Sequence, residues 1–257
     1  MTTQEIKDLI EVAIEATSHA DKEILKVYES DDFGVEVKGD DSPLTKADKA
    51  SHYAIVGILE KTGLPILSEE GNDISYEDRK DWEYFWMIDP LDGTKEFIKR
   101  SGEFTVNIAL IHKDTPVGGV VSTPVLGEVF WGSIENGAFV KRNGEIRELS
   151  KSKAVNLNQK GLRVVASKSH LNDKTREYIE KLSEPETVSM GSSLKFLMLT
   201  EDKADLYPRF APTMEWDTAA AHAVLSVLGY KVYNMEANGT ELVYNKENLL
   251  NPEFLAI

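Results

Sequence analysis

Two carboxylates, Asp89 and Asp92, follow a short apolar run and are separated by a proline and a leucine. Pro90 cannot donate to a sheet and favours a turn, so we predict that the chain bends there and brings the two carboxylates together. Paired carboxylates repel each other unless a cation lies between them, and such oxygen ligands suit Mg²⁺. Gly93 and Thr94 follow at the predicted start of a helix, where backbone N–H groups favour a phosphate. This stretch therefore has the parts that metal-assisted phosphoryl transfer requires.

One other interpretation of this stretch stays open, and two other known motifs are excluded. Asp, Pro and Gly are common turn residues, so an ordinary turn between a strand and a helix stays open on spacing alone. An EF-hand is excluded, because the acids do not alternate and no closing Glu follows. Gly118 and Gly119 are not followed by Gly-Lys-Ser/Thr, which excludes a P-loop.

Composition limits the class of protein. With 257 residues, 41% hydrophobic and 28% charged, the chain is predicted to be a soluble globular protein of one domain or two closely packed ones. We expect no signal peptide and no integral membrane segment, because no apolar run approaches the roughly 20 residues that span a bilayer. The absence of cysteine excludes disulfides and thiol catalysis and fits a cytoplasmic protein. The net charge of −15 disfavours nucleic acid as a partner.

Helical and strand patterns alternate along the chain, which predicts a mixed α and β fold. Thr45 and Asp48 have capping-box spacing and predict the start of a helix. The polar segment 150–160 predicts a boundary between an N-terminal half, 1–155, and a C-terminal half, 156–257. Residues 71–82 are predicted to form a surface loop. Further helices are predicted at 3–18 and 219–228, and strands at 104–111, 118–121, 127–132, 162–166, 230–233 and 242–244.

Three further acids and a histidine have alternative explanations. Glu69 and Glu70 end a short strand, where neighbouring side chains point to opposite faces, so only one of them can face the Asp89 turn. The sequence alone does not choose between them. Asp217 precedes a strongly helical run, and an N-cap role would explain it. His222 lies within that helix and is interpreted as a packing or surface residue.

The second half also contains polar residues at predicted element ends. Ser167 and His170 follow a strand, where a turn with a cap is the simpler interpretation. Gly191 and Lys195 lie at a predicted Gly turn before a helix. Arg209 follows a strand and is either a surface residue or a bidentate phosphate ligand.

Two motifs resemble one known family. The run Asp89-Pro90-Leu91-Asp92-Gly93-Thr94 resembles the signature of the inositol monophosphatases, which are lithium-sensitive, Mg²⁺-dependent phosphatases. The run Trp216-Asp217-Thr218-Ala219-Ala220 resembles the second signature of that family. The continuation through Arg100 is similar to the bacterial branch that acts on adenosine 3′,5′-bisphosphate. The resemblance implies an α+β fold, a layered α-β-α-β-α sandwich with two sheets.

The resemblance also implies roles for single residues. By this match Asp48 and Thr94 would be catalytic and remove a proton from the attacking water. Two or three Mg²⁺ ions would be held by Glu69, Asp89, the Leu91 carbonyl, Asp92 and Asp217. The substrate would be bound by Gly93, Thr94, Ser167, His170, Gly191, Lys195 and Arg209.

The activity that the resemblance implies is hydrolysis of the 3′-phosphate of adenosine 3′,5′-bisphosphate to AMP and phosphate, which would clear a by-product of sulfate assimilation. One alternative is a phosphatase acting on inositol phosphates or sugar phosphates. Another is a non-catalytic protein that binds a metal or a nucleotide, although the Asp48–Thr94 pair argues against it. The oligomeric state, monomer or homodimer, and a peripheral association with the inner membrane are left open.

Overall fold

The structure is a computed structural model that describes residues 1–39, 43–151, 154–167, 171–237 and 239–257. The helices are α1 (Thr3–Tyr28), α2 (Lys46–Leu59), α3 (Tyr76–Arg79), α4 (Thr94–Ile98), α5 (Asp173–Glu180), α6 (Leu194–Thr200) and α7 (Ala219–Val227), with short 3₁₀ helices at Glu60–Thr62 and Glu215–Asp217. The strands are β1 (Glu36–Val37), β2 (Pro43–Leu44), β3 (Ile66–Ser68), β4 (Tyr84–Asp92), β5 (Thr105–His112), β6 (Thr115–Thr123), β7 (Glu128–Ser133), β8 (Gly137–Arg142), β9 (Glu145–Glu148), β10 (Arg163–Ser167), β11 (Glu186–Met190), β12 (Tyr207–Arg209), β13 (Val232–Asn234) and β14 (Phe254–Ala256).

The first two helices form one outer layer. The predicted capping box of α2 is confirmed, because Thr45 accepts from the helix backbone while Asp48 accepts from the Thr45 backbone N–H. The predicted end of α1 at residue 18 was wrong, since the helix continues to Tyr28. Its apolar stripe continues through Ala20 and Ile24, both fully buried. None of the helices in the described ranges is both long enough and apolar enough to cross a membrane.

The larger sheet has the strand order β3-β4-β5-β6-β7-β8-β9 among the described residues. β3 and β4 are parallel, and each later pair is antiparallel, so the predicted antiparallel succession through residues 104–132 is confirmed. Side chains alternate between the two faces of these strands. On β5, Ile108 packs in the core under α1 and α2, whereas Ala109 packs in the core that includes α7. The larger sheet thus lies between two helical layers.

The C-terminal strands form the second sheet layer. β10 pairs with β11 in parallel, and β14 lies between β12 and β13 in antiparallel pairing. An isolated parallel bridge from Val164 to Leu206 joins the two groups. Ile179 of α5 packs on one face of this layer, while Val165 and Phe254 pack on the other face with residues of α6 and α7. The predicted layered α+β fold is therefore confirmed.

Two local predictions differ from the structure. The predicted strand at 242–244 was wrong, because the Tyr244 N–H bonds to the Asp114 carbonyl and the strand that closes the sheet is β14. The predicted surface loop at 71–82 contains α3, and Arg79 is 2% exposed. The Arg79 Nη1 donates to Asn245 Oδ1 at 2.7 Å, which ties this helix to the C-terminal half. The division into halves 1–155 and 156–257 stays a prediction.

Asp21 is a partly buried acid of α1 that contacts β6. Its Oδ1 accepts a hydrogen bond from Ser122 Oγ at 2.7 Å, and burial raises the pKa of Asp21 to about 7. The folded protein therefore holds this carboxyl protonated up to neutral pH, whereas the unfolded chain ionises it near the ordinary value of 3.8. Asp21 therefore contributes most to the free energy of unfolding below pH 3.8, and this contribution is lost as the pH rises through about 7.

We expect Asp21→Asn to raise the free energy of unfolding at pH 8 and to change it little at pH 4. A pKa difference of about 3 corresponds to an upper limit of about 4 kcal/mol. Urea unfolding at the two pH values measures the effect, with Asp8→Asn as a control on the exposed face of the same helix. An equal increase in the free energy of unfolding at both pH values would contradict the raised pKa of Asp21.

Candidate active site

A β-bulge places the first two carboxylates. Strand β4 runs through the predicted bend, and its register with β5 shifts between Asp89, opposite Asn107, and Asp92, opposite Thr105. β4 thus has one residue more than its partner over this interval, and Pro90 is tolerated there because bulges disrupt the ladder. Residues three apart on a regular strand point to opposite faces. The extra residue of the bulge allows Asp89 and Asp92 to point to the same side. The bend is therefore inside the strand rather than in a turn after it.

Asp217 joins the two carboxylates from the other half of the chain. Asp89, Asp92 and Asp217 each offer one oxygen, and these three oxygens lie within 4.8 Å of one another. The alternative explanation of Asp217 as an N-cap was wrong, because the N-cap of α7 is Thr218. Asp217 Oδ2 instead accepts from the Met214 N–H at 2.8 Å within the 3₁₀ turn, which aims the carboxylate at the other two.

The electrostatics of these three acids fit a divalent cation. Burial and the charges of neighbouring acids raise the pKa of Asp89 and Asp217 well above the ordinary value. The pKa of Asp92 is also raised by burial, although Lys195 and Ser193 oppose the rise. A cation offsets such repulsion, and a donor set made only of oxygens is one that Mg²⁺ accepts. These residues therefore fit the implied metal.

Glu69 and Glu70 point to different neighbours. Glu69 lies beside the three aspartates, and its charge raises the pKa of Asp89. The charge of Glu70 instead raises the pKa of Asp48. Lys38 pairs with both glutamates, with its Nζ 2.8 Å from Glu69 Oε1. The structure thus places Glu69 toward the aspartates, as the resemblance implies. Lys38 was not predicted as part of this site.

Thr94 and Asp48 are in direct contact. Thr94 Oγ1 lies 3.1 Å from Asp48 Oδ1 and 3.4 Å from the Leu91 carbonyl oxygen. Asp48 Oδ2 accepts from the Thr45 N–H at 2.8 Å and from the Thr45 hydroxyl at 2.6 Å. Asp48 is 1% exposed, and burial raises its pKa. The same carboxylate therefore caps α2 and contacts the hydroxyl of Thr94.

Polar residues that were not predicted from the sequence bind the Asp92 carboxylate and the backbone of Asp217. The Ser193 N–H donates to Asp92 Oδ2 at 2.7 Å, and the Ser193 hydroxyl donates to the Asp217 carbonyl at 2.7 Å. Asn107 Nδ2 donates to Ser193 Oγ at 3.1 Å, and the Thr105 hydroxyl donates to Asp92 Oδ2 at 3.4 Å. The available signal was in β5, where Thr105 and Asn107 are polar at alternate positions of a buried strand.

A cavity of about 260 Å³ opens beside the carboxylates. Asp92, Asp217 and Glu69 line one part of it. His170 was also predicted to bind the substrate and lies outside the described residues. The other predicted substrate-binding residues all line the same cavity, namely Gly93, Thr94, Ser167, Gly191, Lys195 and Arg209.

Two buried cations line the same cavity as the carboxylates. Lys195 is 6% exposed, burial lowers its pKa to about 8, and its Nζ donates to the Ser192 carbonyl at 2.6 Å. Arg209 is 8% exposed, so the surface interpretation of this residue was wrong. Its Nε and Nη2 donate to the carbonyls of Ala211 at 3.1 Å and Pro212 at 3.0 Å, which fix the guanidinium. The part of the cavity lined by Lys195 and Arg209 is therefore positive, although the protein as a whole is acidic, and we call it the positive end.

Backbone geometry at the cavity requires glycine. Gly93 has φ of 102°, and an added Cβ would lie 3.1 Å from the Glu103 carbonyl oxygen. A Cβ on Gly191 would lie 2.9 Å from the same oxygen, and the Gly191 N–H donates to Glu103 Oε2 at 3.0 Å. The next residue, Ser192, has φ of 41°, and its buried hydroxyl has no partner among the described residues. Ser192 lines the cavity and was not predicted.

His222 belongs to a buried network behind the site. It is 2% exposed, and its Nδ1 lies 2.9 Å from the Tyr244 hydroxyl. That hydroxyl is 3.2 Å from Thr218 Oγ1, which in turn accepts from Asn251 Nδ2 at 3.0 Å. The structure thus places His222 in the core, where it supports the turn that carries Asp217.

The profile of the Inositol monophosphatase family matches residues 5–254. The chain belongs to this family. The 3′(2′),5′-bisphosphate nucleotidase CysQ of Salmonella typhimurium is 42% identical over 250 residues, which cover 96% of this chain and 98% of that protein. The crystal structure of CysQ from Bacteroides thetaiotaomicron superposes with a TM-score of 0.85 at 42% identity, covering 97% of this chain and 96% of that one.

More distant members share the fold alone. The inositol monophosphatase from Anabaena has a TM-score of 0.75 at 24% identity, covering 98% of this chain and 91% of that chain. The resemblance found in the sequence motifs is confirmed, both for the family and for its bisphosphate nucleotidases. The prediction that the chain is an enzyme is also confirmed, because its near full-length relatives are phosphatases of this family.

We expect Mg²⁺ to raise the melting temperature by several degrees, because it would relieve the repulsion among Asp89, Asp92 and Asp217. A ligand at 100 times its Kd adds about 2.7 kcal/mol, and 1 kcal/mol shifts Tm by about 2–4 °C in a chain of this size class. Thermal unfolding with MgCl₂ and with NaCl of equal ionic strength measures the effect. The same Tm in both salts would contradict a metal site, and Asp217→Asn is expected to shrink the difference.

Proposed function

We propose that the protein hydrolyses the 3′-phosphate of adenosine 3′,5′-bisphosphate, with Mg²⁺ as cofactor, and releases AMP and inorganic phosphate. One observation carries this proposal: a single cavity joins the group Asp89, Asp92 and Asp217 to the buried cations Lys195 and Arg209. A substrate with two phosphates can place one phosphate at each end. Relatives that span nearly the whole chain are named 3′(2′),5′-bisphosphate nucleotidase, which supports the same substrate class.

The proposed metal ligands are the three aspartates, Glu69 and the Leu91 carbonyl. Two or three Mg²⁺ ions held there would supply positive charge to the phosphate and lower the pKa of a nearby water. Two of the carboxylates are oriented by the protein before any ligand arrives, since Asp92 Oδ2 accepts from the Ser193 N–H and Asp217 Oδ2 accepts from the Met214 N–H. This preorganisation limits the rearrangement needed during the reaction.

Thr94 and Asp48 have the proton-transfer role in this proposal. The Thr94 hydroxyl donates to Asp48 Oδ1, so its lone pairs stay available to accept a hydrogen bond from water in the cavity. When water attacks the phosphorus, the bond from phosphorus to the ribose 3′ oxygen breaks. The water proton passes to Thr94 Oγ1 while the threonine proton moves toward Asp48, and the leaving 3′ oxygen takes up a proton from solvent water. The raised pKa of Asp48 makes it a better base near neutral pH.

Lys195 and Arg209 have the binding role. Both are buried and fixed by carbonyl oxygens, so they can hold the second phosphate without a large loss of side-chain entropy. Arg209 presents a planar guanidinium that suits an oxyanion, whereas Lys195 acts as a point charge. Ser167 and Gly191 line the same cavity and would contact the nucleoside, and His170 belongs to the same proposed set.

The product tests this assignment directly. The protein is incubated with adenosine 3′,5′-bisphosphate and Mg²⁺, and the nucleotide product is separated by chromatography. We expect adenosine 5′-monophosphate and one equivalent of phosphate, because the carboxylate end would bind the 3′-phosphate. Accumulation of adenosine 3′-monophosphate would show the opposite orientation, and an unchanged substrate would refute the proposed activity.

The alternatives use fewer features of the cavity. An inositol phosphate or sugar monophosphate offers one phosphate and leaves the buried Lys195 and Arg209 without an anion. A non-catalytic binding protein would not need the contact between Thr94 and Asp48. The biological role that we propose, removal of a by-product of sulfate assimilation in the cytoplasm, follows from the nucleotide assignment.

A further inference from the structure

Tyr207 is a buried tyrosine at the positive end of the cavity. It lies on β12, two residues before Arg209, and both side chains line the cavity because alternate residues of a strand share a face. The side chain of Tyr207 is only 2% exposed. The residue therefore belongs to the cavity wall rather than to the protein surface.

Aromatic packing fixes the ring of Tyr207. Its centroid lies 5.0 Å from that of Phe196 and 5.5 Å from that of Phe254, both in edge-on geometry. Lys195 Nζ lies 5.6 Å from the same ring centroid. Since these contacts hold the ring on several sides, they limit the movement of the hydroxyl that the ring carries.

The hydroxyl of Tyr207 is not used within the protein. Among the described residues it has no hydrogen-bond partner, and it is not one of the fully buried atoms that lack one, so it is open to the cavity that Tyr207 lines. The charges of Arg209, Asp92 and Asp217 all act on it, and that of Arg209 has the largest effect of the three, in agreement with the shared strand β12. Burial also raises the pKa of Tyr207, which keeps the phenol protonated and able to donate.

We propose that the Tyr207 hydroxyl donates a hydrogen bond to the phosphate that is not cleaved and so helps the cavity to select bisphosphates over monophosphates. The inference rests on the proposed function. The neighbouring groups at this end are Lys195 and Arg209, so the ligand atom that they attract carries negative charge. A neutral donor beside two cations adds a directional bond, and hydrogen bonds to charged acceptors are the strong ones.

The test uses Tyr207→Phe, which removes only the hydroxyl and keeps the ring that Phe196 and Phe254 contact. Tyr178→Phe is the matched control, because Tyr178 is a half-buried tyrosine that packs on Phe210 outside the cavity. Kinetics are measured on adenosine 3′,5′-bisphosphate and on adenosine 3′-monophosphate, which lacks the second phosphate. Binding of adenosine 5′-monophosphate with Mg²⁺ is measured by calorimetry.

For Tyr207→Phe we expect KM for the bisphosphate and Kd for adenosine 5′-monophosphate to rise about tenfold, which is about 1.4 kcal/mol. We expect kcat for the bisphosphate and KM for the 3′-monophosphate to stay within about twofold of the wild type, and the Tyr178→Phe control to match the wild type. Unchanged nucleotide affinity would overturn the inference, as would equal losses for both substrates.

The wild-type protein separates this inference from the proposed function. If the wild type prefers the bisphosphate but Tyr207→Phe keeps that preference, the inference on Tyr207 is wrong and the proposed function stands. If the wild type neither hydrolyses the bisphosphate nor binds adenosine 5′-monophosphate, the proposed function is wrong and the inference falls with it.

Discussion

Asp92→Asn is expected to lower the rate of phosphate release by about 10³-fold, because it would weaken the binding of the cation that stabilises transition-state charge in the proposed function. The substitution keeps the shape of the side chain and removes one negative charge from the group with Asp89 and Asp217. The fold is expected to survive. An Asn oxygen can still accept from the Ser193 N–H and the Thr105 hydroxyl, and the raised pKa of Asp92 shows that its charge is costly in the folded protein.

Two measurements check this expectation. Phosphate release from adenosine 3′,5′-bisphosphate gives the activity, and thermal unfolding without Mg²⁺ gives the stability. Asp81→Asn is the control for the chemical change alone, because Asp81 is exposed and does not line the cavity. Near-normal turnover by Asp92→Asn would remove Asp92 from the metal site, and a collapsed fold would assign it a structural role instead.

Thr94→Val is expected to lower kcat by about 10²–10⁴-fold, the range of general acid–base contributions. Valine matches threonine in shape but cannot donate to Asp48 Oδ1 or accept a proton from water. Thr94→Ser restores the hydroxyl and is expected to recover most of the rate. Because the hydroxyl contributes to the chemical step in this account, KM is expected to change less than kcat.

A double-mutant cycle with Asp48→Asn tests whether the two residues act as one unit. If they do, Thr94→Val combined with Asp48→Asn is expected to be about as slow as either single variant. Asp48 also caps α2 through Thr45, so unfolding experiments on each variant must accompany the rates. Full activity of Thr94→Val, or strictly additive losses in a folded protein, would contradict the proton-transfer role.

The sequence predicted the elements whose signals are local. The capping box of Thr45 and Asp48 and the helix beginning at Ala219 correspond to the structure within a residue. The bend at Pro90 was also predicted, but not its form. A bulge depends on how β4 pairs with β5, and that register is not written in the residues around Pro90 themselves.

The remaining differences come from long-range contacts. Ser193 contacts the carboxylate group only because the start of α6 meets β5 there. Its bonding partner Asn107 on β5 is 86 residues away in the sequence. Strand β14 was missed, because its pairing with β12 and β13 depends on the C-terminal chain returning to the second sheet. The cavity-facing positions of Lys195 and Arg209 were implied by the resemblance, and their burial became known only from the packing.

The side-by-side measurement of kcat/KM for adenosine 3′,5′-bisphosphate and inositol 1-phosphate, with Mg²⁺, tests the central claim most directly. We expect a preference of at least about 100-fold for the nucleotide, because only that substrate provides charged partners both for the proposed metal ligands and for Lys195 and Arg209. Equal or greater efficiency with inositol 1-phosphate would contradict the assignment of Lys195 and Arg209, and no phosphate release from either would contradict the proposed catalytic function itself.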